Sequence, residues 1–121
     1  MIHIGTSGYS YDDWVGPFYP TGLSKSSWLA YYSNEFSSCE INFTYYRLPE
    51  ARILAAMARK TSDGFLFTVK ATQELTHKRE GNAALFGQFV EALRPLIELN
   101  KFGCILAQFP FSFQPYDRMK P

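Results

Sequence analysis

A chain of 121 residues with 46% hydrophobic and 19% charged side chains has enough apolar material for one packed core, which excludes a disordered chain, and too little length for two ordinary domains. Its formal net charge of +1 excludes a global field that would draw it to nucleic acid or to an acidic membrane surface, so any charge-based recognition must be local. No run approaches the roughly 18 apolar residues of a membrane helix, and no basic stretch with a following apolar block opens the chain, so no membrane partner is expected and the cytoplasm is the expected compartment.

The first predicted element is the apolar strand IHIGT at residues 2–6, followed by the loop SGYSYDDWVGPFYP, rich in hydroxyls, glycines and aromatics. Ser24, Ser26 and Ser27 offer N-caps for a helix in which Trp28, Leu29, Tyr32 and Phe36 share one face. SSCEINFTYY reads as the second strand. Pro49 then occupies a position where a first-turn proline is tolerated, and EARILAAMARK is a helix with Ile53, Leu54 and Met57 on one side. FLFTVK is the third strand, after Gly64. The polar connection ATQELTHKREG leads to Asn82 as a cap for a long helix with Leu85, Phe86, Phe89, Val90, Leu93, Leu96 and Ile97 at helical spacing, which Pro95 should kink or split. Gly103 is expected to end that helix, and CILAQF is the fourth strand.

This βαβαβαβ order predicts parallel strands joined by right-handed crossovers, closed either as an open doubly wound sheet or as an eight-stranded barrel. The GxGxxG fingerprint is missing after the first strand, which counts against a dinucleotide fold. Side-chain alternation assigns Ile2, Ile4, Ile41, Phe43, Phe65, Phe67, Val69, Ile105 and Ala107 to the helix-covered face. His3, Gly5, Ser7, Glu40, Asn42, Thr68, Lys70, Leu106 and Gln108 then face inward, several of them near the C-terminal strand ends where α/β folds place their chemistry. Cys39 and Cys104 have no CxxC or histidine spacing that would signal zinc or a disulfide framework, and both are expected as buried thiols.

The segments IGTSGYSYDDWVGPFYP, CEINFTYYRLP, FLFTVKA with the following THKRE, and ILAQFP resemble, in order and spacing, the YecE-like family, also called domain of unknown function 72. The resemblance runs from Ile2 to about Pro110. It implies a TIM-type (β/α) barrel of about twice this length with no established activity. On that basis residues 1–121 are a partial domain, an N-terminal half with about four parallel strands and three helices, truncated where a fourth helix should start. Two open parallel edges then invite self-association. Tyr9 stands where the family often has tryptophan.

Lys70 is the leading candidate for chemistry: an inward ammonium at a strand end binds an anion, forms a Schiff base if desolvated, or pairs with Glu40. Asn42 supplies an amide to orient a hydroxyl or carbonyl, or serves loop backbone groups. Tyr46 and Arg47 follow it, Arg47 with a fork that matches carboxylate or phosphate. His77, Lys78 and Arg79 form a basic cluster in which His77 is poised for proton transfer near neutral pH. Gln108 can contact a ligand through its amide. Ser7 and Tyr9 belong to the first loop, where backbone amides and hydroxyls bind polar groups while Tyr9, Tyr11 and Trp14 roof the pocket; the rival reading is that Trp14, Phe18 and Tyr19 plug the rim. Ser7 lacks a GxSxG elbow. Asp12 and Asp13 read as turn residues and His3 as a packed core histidine. No metal-ligating residue is assigned, and the cofactor is left unknown by the sequence.

The reading is therefore an enzyme-type pocket at the C-terminal face for a small polar or anionic molecule. The alternatives are a nucleotide or nucleic-acid module that stacks bases on the aromatic loop, and an inactive fragment.

Overall fold

Strands β1 (Gly5–Ser7), β2 (Ser38–Ile41), β3 (Leu66–Lys70) and β4 (Phe102–Leu106) pair in parallel in the order β1-β2-β3-β4. They belong to a computed structural model that describes residues 1–78 and 81–114. The helices are α1 (Trp28–Glu35), α2 (Ala51–Arg59), α3 (Ala83–Ala92) and α4 (Arg94–Glu98). Among the described residues the sheet is open rather than closed into a barrel. There are four helices instead of three because Pro95, with no N–H and a ring that crowds the carbonyl four residues back, breaks the long periodic segment at Leu93.

Alternation orders the layers as the sequence predicts. Cys39, Ile41, Phe67 and Val69 are buried on the helix side against Leu29, Tyr32, Leu54, Phe89, Leu93 and Leu96. Ile2 and Ile4 depart from the expectation at 86% and 66% exposure, because β1 is an edge strand. His3 is likewise exposed rather than packed in the core, its Nδ1 3.3 Å from the Ser37 carbonyl oxygen. Ala107 is exposed at the other edge. Cys104 registers with Thr68 on the uncovered face, so only Cys39 is a buried thiol.

Gly103 does not end a helix. Asn100, with φ of 58°, makes the left-handed turn after α4, and Gly103 lies inside β4. A Cβ there would approach the Phe67 carbonyl oxygen to 3.0 Å, beside the register shift between Phe67 and Thr68, so glycine lets the two backbones meet.

The β1–β2 seam depends on a side chain. Ser37 N–H donates to the Ile4 carbonyl at 3.1 Å and Gly8 N–H to that of Glu40 at 2.9 Å. Between these rungs the Tyr32 hydroxyl of α1 accepts from Thr6 N–H at 2.7 Å and donates to the Ser38 carbonyl at 3.0 Å. Gly5 permits the close approach, since a Cβ would collide with the Ser38 carbonyl.

Three outcomes are expected. Tyr32→Phe leaves Thr6 N–H and the Ser38 carbonyl without their bridge and should lower the unfolding free energy by ~1–3 kcal/mol in urea titration. Burial pushes the Cys39 thiol from 9.0 up to about 12. In that interval the unfolded chain has released a proton that the folded chain keeps, so stability should fall as pH rises, by at most ~1.4 kcal/mol per pH unit from this group. A thiol reagent at mildly alkaline pH should label the exposed Cys104 and spare Cys39 until denaturant is added; equal labelling of the folded chain would contradict the burial.

Candidate functional site

The loops that follow β2 and β3 build a cleft of about 200 Å³ at the C-terminal end of the sheet, lined by Tyr45, Lys70, His77 and Gln108 with residues 109–111. Lys70 closes β3 on the inner face, as alternation requires. Its carbonyl accepts the Thr44 hydroxyl at 2.5 Å, and the Thr72 hydroxyl donates to the Tyr45 carbonyl at 3.3 Å. These two buried threonines fasten the short 3-10 turn Phe43–Tyr45 beside the strand end. The turn brings the Tyr45 ring to 4.7 Å from the Lys70 ammonium.

A π-helical turn at Glu74–Lys78 supplies the other wall. His77 lies there with Nε2 3.3 Å from the Tyr45 hydroxyl and Nδ1 2.8 Å from the Thr76 hydroxyl. Imidazole, phenol and ammonium thus share one small space. No ion pair joins Lys70 to Glu40 among the described residues. Gln108, just past β4, adds an amide to the mouth.

A second cleft, also about 200 Å³, opens beside the ends of β1 and β2 between residues 8–11 and 40–43, with Met57 of α2 also in its lining. The Asn42 amide donates to the Ser7 hydroxyl at 2.5 Å, while its carbonyl oxygen is buried with no partner among the described residues. Leaving such an acceptor unpaired costs roughly 1–3 kcal/mol. Tyr9 is half-buried 6.2 Å from Tyr32, and burial raises its phenol above the ordinary value. The Tyr9 carbonyl accepts the Tyr19 hydroxyl at 2.5 Å.

Lys70 and Asn42 therefore do not share one hollow. Their strands put them side by side, since Ile41 registers with Val69. At Asn42, however, the backbone has left the strand with φ of −111° and ψ of −22°, which turns the amide toward Ser7. Arg47 stands 5.3 Å from the Phe43 ring and lines neither cleft, and Tyr46 is exposed, edge-on to Tyr45 at 5.0 Å. Lys78 is paired with Glu74 at 2.7 Å, and Arg79 of the expected basic cluster lies outside the described residues.

The aromatics of the first loop bind mainly to one another. Tyr11 is 4.8 Å from Trp14, Trp14 is 5.7 Å from Phe18, and Tyr19 stacks on Trp28 at 4.7 Å. They fasten the loop to α1, which is the rim-plug reading, although Tyr9 and Tyr11 also line the second cleft. Asp12 and Asp13 form a 3-10 turn, and Asp12 pairs with Lys25 at 2.9 Å. Among the described residues no three His, Cys, Asp or Glu side chains group to hold a metal, and no helix is long and apolar enough to cross a membrane.

Sequence reasoning passed over Tyr45. The available signal was its place in FTYYR immediately after β2, on the loop neighbouring Lys70; the doubled tyrosine drew attention to Tyr46, the exposed one.

Residues 3–120 match the family model described as protein of unknown function DUF72. UPF0759 protein YunF of Bacillus subtilis (strain 168) is 31% identical over 116 residues, which make up 91% of this chain and 40% of that protein. Two crystal structures of a DUF72 family protein from Enterococcus faecalis V583 align with TM-scores of 0.78 and 0.72 at 22% identity, over 98% of this chain and 43% of that one. The chain thus spans about two fifths of the length of these relatives, and the likeness to the solved structures is one of fold. Because the family model runs through all four strands, the chain belongs to DUF72, a family of proteins of unknown function.

Proposed function

We propose that the sheet is one half of a TIM-type barrel, and that its C-terminal face binds a small anionic ligand, a carboxylate or a phosphate, at the cleft of Lys70. The observation that carries this reading is the ammonium itself. It is half-buried at a strand end, lines a cavity, and among the described residues lies against the Tyr45 ring with no ion-pair or hydrogen-bond partner for its ammonium. A cation–π contact contributes about 0.5–2 kcal/mol, whereas a partly desolvated cation gains more from a hydrogen-bonded anion. His77 and Gln108 add a ring nitrogen and an amide that reach the same space. The His77–Tyr45 pair gives the site a proton donor and acceptor, so it has the parts for acid–base chemistry on what Lys70 holds.

A nucleic-acid module draws less support. Base stacking needs free aromatic faces, and those of the first loop are largely engaged with one another; a phosphate track needs free cations, and Lys78 is paired.

Titration with inorganic phosphate and with acetate, followed by NMR of the His77 ring and the Lys70 side chain, tests the reading. Lys70→Met should weaken binding at least about tenfold, or ~1.4 kcal/mol, and Lys70→Arg should keep part of it. Affinity unaffected by Lys70→Met would remove the proposal. Tyr45→Phe should preserve the anion affinity within about threefold while changing the NMR signals of the His77 ring, because the ring stays under the ammonium and only the hydroxyl next to Nε2 is lost. For a single small anion the affinity should fall shallowly with salt; a steep slope with an oligonucleotide would favour the nucleic-acid module instead.

A further inference from the structure

Among the described residues, the Lys70 ammonium, the Gln108 amide and the bonded pair of Tyr45 and His77 are the polar side chains that line the Lys70 cleft, and no carboxylate joins them. Lys70 is the one lysine or arginine in that lining. Lys78 of the neighbouring turn pairs with Glu74 at 2.7 Å, and Arg47 stands outside. A single ammonium matches the single charge of a carboxylate, whereas a phosphate ester carries about −1.5 to −2 charges near neutral pH and calls for further positive groups. A helix N-terminus could supply one, but the first turn of α3, capped at Asn82, lines a different groove with Phe86 and Phe89. The charge therefore selects a carboxylate.

The remaining groups select what the carboxylate carries. In either tautomer of His77 the Tyr45 oxygen keeps a lone pair beyond its 3.3 Å bond to Nε2, and the Gln108 amide, bonded to no described residue, offers an oxygen as well as two N–H groups. A plain carboxylate only accepts, so it leaves both of those acceptors unused. A hydroxyl donates as well as accepts and can use them. Volume sets the length: about 200 Å³ holds about seven waters, below the range of pockets for drug-sized ligands.

We infer that the ligand of this cleft is a short hydroxycarboxylate of about three or four carbons, an inference that rests on the anion-binding reading above. Its carboxylate pairs with Lys70, while its hydroxyl donates to the Tyr45 oxygen and accepts from the Gln108 amide. The ammonium lies 4.7 Å from the centre of the ring that carries that oxygen, so both contacts fall within the span of one small molecule. The carbon chain lies along Phe109 and Pro110, and Phe109 is held by stacking on Phe113 at 4.6 Å. Gln108 and Tyr45 thus separate a hydroxy acid from a plain one.

Calorimetric titration of the chain with glycerate, propionate and inorganic phosphate decides the matter. Glycerate should bind at least about tenfold more tightly than propionate, which has the same skeleton without hydroxyls, and more tightly than phosphate. Gln108→Leu, at an exposed position, and Tyr45→Phe should each lower the glycerate affinity while leaving that for propionate within about threefold; Lys70→Met should weaken both acids at least about tenfold. Equal affinities for glycerate and propionate, both lost with Lys70, would overturn the hydroxy acid and leave the anion reading standing. Phosphate bound more tightly than glycerate through Lys70 would overturn the carboxylate and leave that reading standing too. A glycerate preference that survives both Gln108→Leu and Tyr45→Phe would overturn the placement of the hydroxyl. Glycerate binding indifferent to Lys70→Met, or no binding of any of these anions, would remove the anion reading as well.

Discussion

The Tyr32 hydroxyl is the constraint on which the C-terminal face depends. It comes from α1 and stands between Thr6 and Ser38, where an ordinary parallel ladder would have a direct backbone bond. Its ring is fully buried between Phe36 at 4.9 Å and Phe65 at 6.1 Å, so helix packing and strand pairing are fixed by one side chain. Burial raises the phenol above its ordinary value, which keeps it protonated as a donor throughout the neutral range. Because β1 is only three residues long, this bridge does much to hold Ser7 opposite Glu40, and with it the rim of the second cleft. The polar chemistry at the top of the sheet thus begins with an aromatic in its core.

Two lysines at opposite ends of neighbouring strands, Lys101 just before β4 and Lys70 at the close of β3, show how the ends of the sheet divide their roles. Lys101 immediately precedes β4 at the N-terminal end. It is almost fully buried, and its ammonium donates to the Ser62 carbonyl at 2.6 Å, tying the connection before β3 to the start of β4. Lys70 closes β3 at the opposite end and donates to no protein acceptor among the described residues, with only an aromatic face against it. The same side chain is used up as a fastener below and left available above. Parallel α/β architecture accounts for the difference, since N-terminal loops carry stability while the loops after the strands are free to vary.

What the sequence revealed follows from what its patterns encode. Period-two alternation placed Phe67, Val69, Ile41 and Lys70 on their proper faces, because β2 and β3 are internal strands whose two faces differ in burial. The helix-breaking geometry of Pro95 was likewise local and therefore legible. Errors gathered where a neighbour decides the outcome. Ile2, His3 and Cys104 look like core residues, yet each lies on an edge or an uncovered face, and alternation carries no signal for a missing neighbour. Gly103 reads as a helix stop until the Phe67 carbonyl is seen against it. The Tyr32 bridge could not be read at all, because a tyrosine on an apolar helical face has the same pattern whether or not its hydroxyl is used.

The separation of Asn42 from Lys70 follows from the same limit and bears on the chemistry. Strict alternation would give the C-terminal face one polar hollow with an amide beside an amine. Instead β2 ends at Ile41, and the turn Phe43–Tyr45 spends the next residues bringing an aromatic ring to Lys70. Asn42 is thereby committed to Ser7, and among the described residues its carbonyl oxygen is left buried and unpaired. That acceptor is a local cost offset by Thr44, whose hydroxyl locks the turn to the Lys70 carbonyl. The order of residues in EINFTYY thus replaces the one expected hollow by two separate clefts, one over β1 and β2 that holds Asn42 and one beside β3 and β4 that holds Lys70, Tyr45 and His77.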